Sequence, residues 1–166
     1  MRHLAFILIL ITSALQAQSN TSKRELKSIF KETLRKSRNA VSTARNEWRY
    51  DNTNDDYSQN DTIILNSARS YKMDFCNGIG WSFYENEKCV LENFRYCNEP
   101  PTKLVSKKED FITLKIKEEN GQTYIEQYNL NGLFDKFKVL EVLRNKPLGN
   151  GEAEFDYTLK LVRIKV

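Results

Sequence analysis

The stretch from Tyr71 to Cys97, YKMDFCNGIGWSFYENEKCVLENFRYC, alternates aromatic and polar side chains and is interrupted twice by turn-forming residues. Strand side chains point alternately to the two faces, so Tyr71, Met73 and Phe75 would share one face of a first strand. Asn77-Gly78-Ile79-Gly80 offers the positive-φ positions that a tight reversal needs. Trp81 and Phe83 then carry the apolar face along a second strand. Glu85-Asn86-Glu87-Lys88 reverses the chain again into Cys89, Leu91 and the Phe94 to Tyr96 segment. Three consecutive antiparallel strands are expected here.

Strand signals continue to the end of the chain. Ile112, Leu114 and Ile116 alternate with Thr113, Lys115 and Lys117 before Glu118-Glu119-Asn120-Gly121, the plainest hairpin turn in the sequence. Tyr124, Ile125 and Tyr128 mark the returning strand, Asn131-Gly132 the next turn, and Phe137 to Leu143 the strand after it. Beyond a loop at Pro147 to Gly151, the last strand alternates through Phe155, Tyr157, Leu159 and Leu161. Its apolar phase then moves to Val162, Ile164 and Val166, as a β-bulge would allow. With Thr62 to Leu65 and a weaker strand around Leu104 and Val105, about eight strands fit between Thr62 and Val166. Short antiparallel strands in hairpin order leave exposed edges, and closure removes them. The expected fold is therefore mainly β: an antiparallel up-and-down β-barrel of about eight strands, preceded by one N-terminal amphipathic α-helix.

The N-terminal third reads differently. Arg2 precedes an apolar run from Leu4 to Ile11, shorter than the roughly 20 residues of a membrane span, followed by small and polar residues up to Ala17. Residues 1–17 are read as a secretory signal peptide cut after Ala17, with Ala14 as the alternative, and no cysteine follows that would carry a lipid. The mature protein is then secreted or periplasmic. Residues 18–61 form a basic helix and a polar linker, and 62–166 the barrel domain. Ser22-Lys23-Arg24-Glu25 fits a capping box, and Leu26, Ile29, Phe30, Leu34, Val41, Ala44 and Trp48 recur at helical spacing. From Ser22 to Arg49 there are nine basic and three acidic residues, a net of +6, whereas Tyr50 to Val166 carries −3. Such a helix can lie on an anionic membrane surface, but packing of its apolar stripe on the barrel with solvated charges is the stronger expectation. From Tyr50 to Asp61 the chain is rich in Asn and Asp without periodicity, which reads as a loop. Its acids lack the spacing and central Gly of a calcium loop.

Three cysteines in an exported chain allow one intrachain disulfide. Cys89 and Cys97 on one extended strand stand too far apart, at about 3.3 Å per residue. Cys76 ends the first expected strand and Cys97 leaves the third, so a returning chain could join them. A Cys76–Cys97 bridge with Cys89 as a buried free thiol is expected.

The run Phe75-Cys76-Asn77, Trp81-Ser82-Phe83, Glu85-Asn86 and Tyr96-Cys97 ahead of Ile112-Thr113-Leu114 resembles the small lipocalin-like domains of exported bacterial proteins. The likeness spans roughly Ser70 to Val166. It implies a barrel and, from the wider superfamily, binding of a small hydrophobic ligand. Met73, Phe75, Trp81, Phe83, Leu114 and Tyr157 are the candidate cavity-lining residues, the alternative being that they simply fill a core. Enzymatic activity is not expected, because the sole histidine, His3, departs with the signal peptide and no phosphate loop, nucleophile elbow or metal-spaced cysteine pair is present. No cofactor and no metal are expected. Nucleic-acid binding is excluded by the acidic balance of an exported domain. A protein partner, for example an enzyme inhibited by a barrel with a filled interior, is the alternative function.

Overall fold

Period-two alternation becomes a closed antiparallel barrel. The computed structural model describes residues 21–38, 47–68, 76–98, 100, 102–104, 107–145 and 155–165. Among the described residues one α-helix, α1 (Lys23–Arg38), precedes nine strands: β1 (Glu47–Asp51), β2 (Thr62–Ala68), β3 (Asn77–Glu85), β4 (Lys88–Arg95), β5 (Thr102–Leu104), β6 (Phe111–Glu119), β7 (Gln122–Asn129), β8 (Gly132–Arg144) and β9 (Phe155–Ile164). Eight of them form a ring in the order β3-β1-β2-β9-β8-β7-β6-β4, closed by β3 pairing with β4, and every pairing is antiparallel. Chain order is that of an up-and-down barrel, with β1 lying between β2 and β3. The three-residue β5 attaches to the second half of β4, from Asn93 to Arg95, while β4 pairs with β6 from Lys88 to Val90.

The turns follow from local chemistry. Asn120 and Gly121 both sit at positive φ, 51° and 72°, which gives the β6–β7 hairpin the twist of its strands. Glu87, with φ 58°, turns β3 into β4, and the β7–β8 turn falls on Leu130-Asn131, ahead of Gly132. Helix α1 begins as its sequence suggests: Ser22 Oγ accepts from the amide of Glu25 at 3.2 Å.

Four expectations are corrected. Asn77-Gly78-Ile79-Gly80 is not a turn but the start of β3, paired with β1 on one side and β4 on the other. Its glycine at position 80 serves close approach, since a Cβ there would meet Glu47 Oε1 at 2.7 Å. Glu47 has no room to yield. It is buried on the outer face of β1 and accepts from Arg49 Nε at 2.8 Å, while that guanidinium lies over the rings of Phe94 and Tyr96. Secondly, Trp48 does not extend the helix, and the barrel begins at Glu47 rather than Thr62. Trp48 and Tyr50 point inward from β1 by strand alternation, and the spacing of Trp48 from Ala44 only mimics a helical stripe. Thirdly, the linker or loop expected from Tyr50 to Asp61 gives up Tyr50 and Asp51 to β1; the remaining 52–61 is a loop in which Asn52 Oδ1 accepts from Tyr57 N and Tyr50 Oη donates to Asp56, folding it over one end of the barrel. Finally, β9 has no phase shift at Val162. It pairs in unbroken register with β2 through Leu161 and Val162, and Arg163 takes the next inward position. The irregularities lie elsewhere, around Leu140 in β8 and near the start of β9. The strand expected at Tyr71 to Phe75, with Met73, and the loop at Pro147 to Gly151 lie outside the described residues.

Candidate functional site

The inward side chains form one apolar cluster that includes Trp48, Ile63, Leu65, Trp81, Phe83, Leu114, Ile125, Phe137, Leu159 and Leu161. Each end of it is covered by a different element. At one end α1 lies across the barrel mouth with Leu26, Ile29, Phe30 and Leu34 buried. The Phe30 ring stands edge-on to Trp48 at 5.3 Å and tilted on Phe83 at 4.8 Å. Polar contacts fix this seating: Thr123 Oγ1 donates to the Thr21 carbonyl, the amide of Val142 donates to Thr21 Oγ1, Tyr157 Oη donates to Glu32, and Lys27 pairs with Glu87 at 2.7 Å. Helix position is therefore set from three sides of the rim.

The opposite end is closed by polar side chains. Trp81 Nε1 donates to Tyr57 Oη at 2.9 Å, Arg163 donates to the Tyr57 carbonyl at 2.6 Å, and the same guanidinium pairs with Asp135. Arg163 also lies over the rings of Phe137 and Tyr57. Burial pushes the Asp135 carboxyl upward, and the charge and hydrogen bond of Arg163 counter that only in part. Burial likewise raises the Tyr57 phenol, which stays neutral and accepts from Trp81.

Of the six candidate cavity-lining residues, Trp81, Phe83, Leu114 and Tyr157 come together in this cluster, all of them buried. Trp81 packs on Phe137 with centroids 5.8 Å apart, and Tyr157 stacks on Trp48 at 6.3 Å. Met73 and Phe75 lie outside the described residues. Sequence reasoning missed that Phe30 packs on both Phe83 and Trp48, because Phe30 and Trp48 come from a helix and a strand that the sequence reading ran together. It also missed Gln127, an inward amide whose register partners are Leu114 and Asp135. Its period-two phase with the buried Thr123 and Ile125 was the signal, yet the ring-bearing letters at Tyr124 and Tyr128 on the opposite phase hid it.

A cleft of about 250 Å³ opens beside the plug, between α1 and the β3–β4 hairpin. Phe30 and Phe83 form its floor, Lys27 and Lys31 one wall, and Glu85, Asn86 and Glu87 the other. A wider cleft of about 440 Å³ on the far flank of α1 has a more polar lining that includes Arg24, Glu32 and Arg144. The Cys76–Cys97 disulfide joins the base of the β3–β4 hairpin at the end away from α1, with Cα atoms 5.0 Å apart. Cys89 is a free, buried thiol whose ionisation is pushed well up by burial. Among the described residues no cluster of three or more His, Cys, Asp or Glu is placed to hold a metal ion, and no helix is long and apolar enough to cross a membrane. No protein-family model, curated protein or solved structure matched this chain.

Proposed function

We propose that this chain is an exported, lipocalin-like binding module that takes a small apolar molecule at the barrel end covered by α1. The observation that carries the reading is the cleft floored by Phe30 and Phe83, where apolar core surface meets solvent at the flank of the helix. Ligand sites are concave, mostly apolar and edged by a few polar groups, which describes this place. At about 250 Å³ it lies just below the usual range of about 300–1,000 Å³, which suits a small ligand. The apolar leader from Leu4 to Ile11 and the disulfide both favour an oxidising compartment outside the cytoplasm. The proposed role is binding rather than catalysis, since the one histidine, His3, belongs to the leader.

A ligand that binds only the folded protein raises its melting temperature by mass action. Thermal melts of the mature protein with medium-chain fatty acids, alcohols and aromatic ketones should show a saturable rise. Asn86→Trp, which fills the cleft from the hairpin turn, should abolish the rise without lowering the melting point of the free protein. A melting temperature indifferent to every compound at millimolar concentration would refute the reading. A second reading, a barrel that binds a protein partner, draws on the exposed rings of Tyr84 and Phe111, which meet edge-on at 6.2 Å on the outer face of β3 and β6. Charge placed there by Tyr84→Lys and Phe111→Lys would break such a contact and leave the ligand titration unchanged.

A further inference from the structure

Two buried polar side chains inside the barrel hold atoms without a hydrogen-bond partner among the described residues: the indole N–H of Trp48 and the amide of Gln127, both on residues with 0% exposure. Buried donors are nearly always satisfied in native proteins, and each exception needs a reason. An orphaned donor has given up its bond to water and received nothing in exchange. Gln127 lies along the ladder between β6 and β8, away from any opening described above. Trp48 is different. Its ring is covered by Phe30 of α1, and Phe30 is also part of the floor of the cleft between α1 and the β3–β4 hairpin. One aromatic side chain of the plug thus lies between the cleft and the Trp48 ring, whose N–H has no acceptor among the described residues.

We propose that Trp48 is the specificity-determining residue of this site: a ligand displaces the Phe30 ring, occupies the apolar space against Phe83 and Trp48, and accepts a hydrogen bond from Trp48 Nε1. The inference rests on the binding function proposed above and adds the chemical class of ligand, an apolar body carrying an oxygen acceptor rather than a pure hydrocarbon. Losing the contacts of Phe30 is offset by the ligand's own apolar surface, so the new hydrogen bond becomes the difference between ligands that fit equally well. Because the donor is already unpaired in the free protein, a ligand that pairs it gains the net value of one hydrogen bond over an analogue that does not.

The chain has two tryptophans, and Trp81 donates to Tyr57, so the two indole N–H resonances give a reporter and an internal reference. Butyrophenone and butylbenzene have similar shapes, but only the ketone carries an acceptor, and the ketone is the less apolar of the two. Titrated into nitrogen-15-labelled protein, butyrophenone should shift the Trp48 indole resonance downfield and leave that of Trp81 in place. It should bind roughly fivefold more tightly than butylbenzene, the ratio expected for one net hydrogen bond. Trp48→Phe should erase the preference, and Phe30→Ala should tighten both compounds while keeping it. Equal affinity for both compounds with an unmoved Trp48 resonance would overturn the role of Trp48 and leave the binding function standing. Failure of both compounds to bind the wild type and Phe30→Ala would remove the binding function as well. Should Trp48→Phe fail to fold, the resonance shift and affinity ratio in the wild type decide the matter.

Discussion

Arg163 shows at the scale of one residue why a charged side chain can occupy a core phase. Its aliphatic stem and planar head lie over Phe137 and Tyr57, while its donors meet Asp135 and the Tyr57 carbonyl. Burial nevertheless raises the Asp135 carboxyl above its ordinary range in spite of that partner, so the pair does not fully offset its own desolvation. Removing one member should be far worse than removing both. Asp135→Leu leaves a buried guanidinium unpaired and should cost about 3–5 kcal/mol, whereas Asp135→Leu with Arg163→Met should cost less than either single change. Urea unfolding of the three variants measures this, and strictly additive losses would show that the two side chains do not act as a pair. The same residue explains a misreading of the sequence. A charge in phase with Tyr157, Leu159 and Leu161 looks like the end of an apolar face, so the phase was transferred to Val162 and Ile164, which are half-buried on the outside.

Helix α1 is the element whose role the barrel decides. Its stripe of Leu26, Ile29, Phe30 and Leu34 is buried against the mouth, so its apolar face is spent on packing. Leu34, 6% exposed, should be intolerant of charge: Leu34→Asp should lower stability by several kcal/mol, because an unpaired carboxylate would enter an apolar contact. Lys27→Glu breaks the pair with Glu87, but both side chains are more than a third exposed, and the cost should stay below about 1 kcal/mol. Thermal melts beside vesicle co-sedimentation test the alternative. If Leu34→Asp melts like the wild type while Lys27→Glu loses salt-sensitive binding to anionic vesicles, the helix is a membrane device and not a plug. How legible each element was depended on whether its signal was local. The Asn120-Gly121 hairpin, the period-two face of β6 and that of β9 as far as Leu161 are legible, because turn conformation and alternation are set by neighbouring residues. The residues of β1 could not be read that way, since Glu47 and Arg49 are buried by Gly80, Phe94 and Tyr96 from other strands. Gly80 reads as part of a turn because a glycine serving close approach has the same letter as one serving positive φ. Alternation alone puts Trp81, Phe83, Leu114 and Tyr157 on the inward face, where they are core residues; the plug over them is not legible, because no local pattern tells a helix which opening it covers.

The whole molecule is a barrel closed at both ends, and its least continuous wall is β4. That strand leaves β6 after Val90 and continues against the short β5, so the ring is held there by the β3–β4 hairpin. The disulfide sits at this point, tying Cys76 ahead of β3 to Cys97 after β4, where the amide of Tyr96 also donates to the Cys76 carbonyl at 2.8 Å. With a sequence separation of 21, the bridge should restrict the unfolded chain by about 3 kcal/mol in the loop-entropy account. Cys89 reports on the same wall from within, since it lies on β4 with 0% exposure and burial holds its thiol protonated. In the oxidised protein a thiol reagent should therefore label Cys89 only as fast as the barrel opens. Reduction of Cys76–Cys97 should lower stability by about that 3 kcal/mol and speed the labelling of Cys89, because the hairpin that carries β4 loses its anchor. Labelling kinetics with and without prior reduction, resolved by peptide mapping, provide the measurement. Rapid native labelling of Cys89 in the oxidised protein would show that the wall is open without any loss of the bridge. Labelling unchanged by reduction would mean that the backbone ladder alone holds β4, and the bridge would then add nothing to the closure of the barrel.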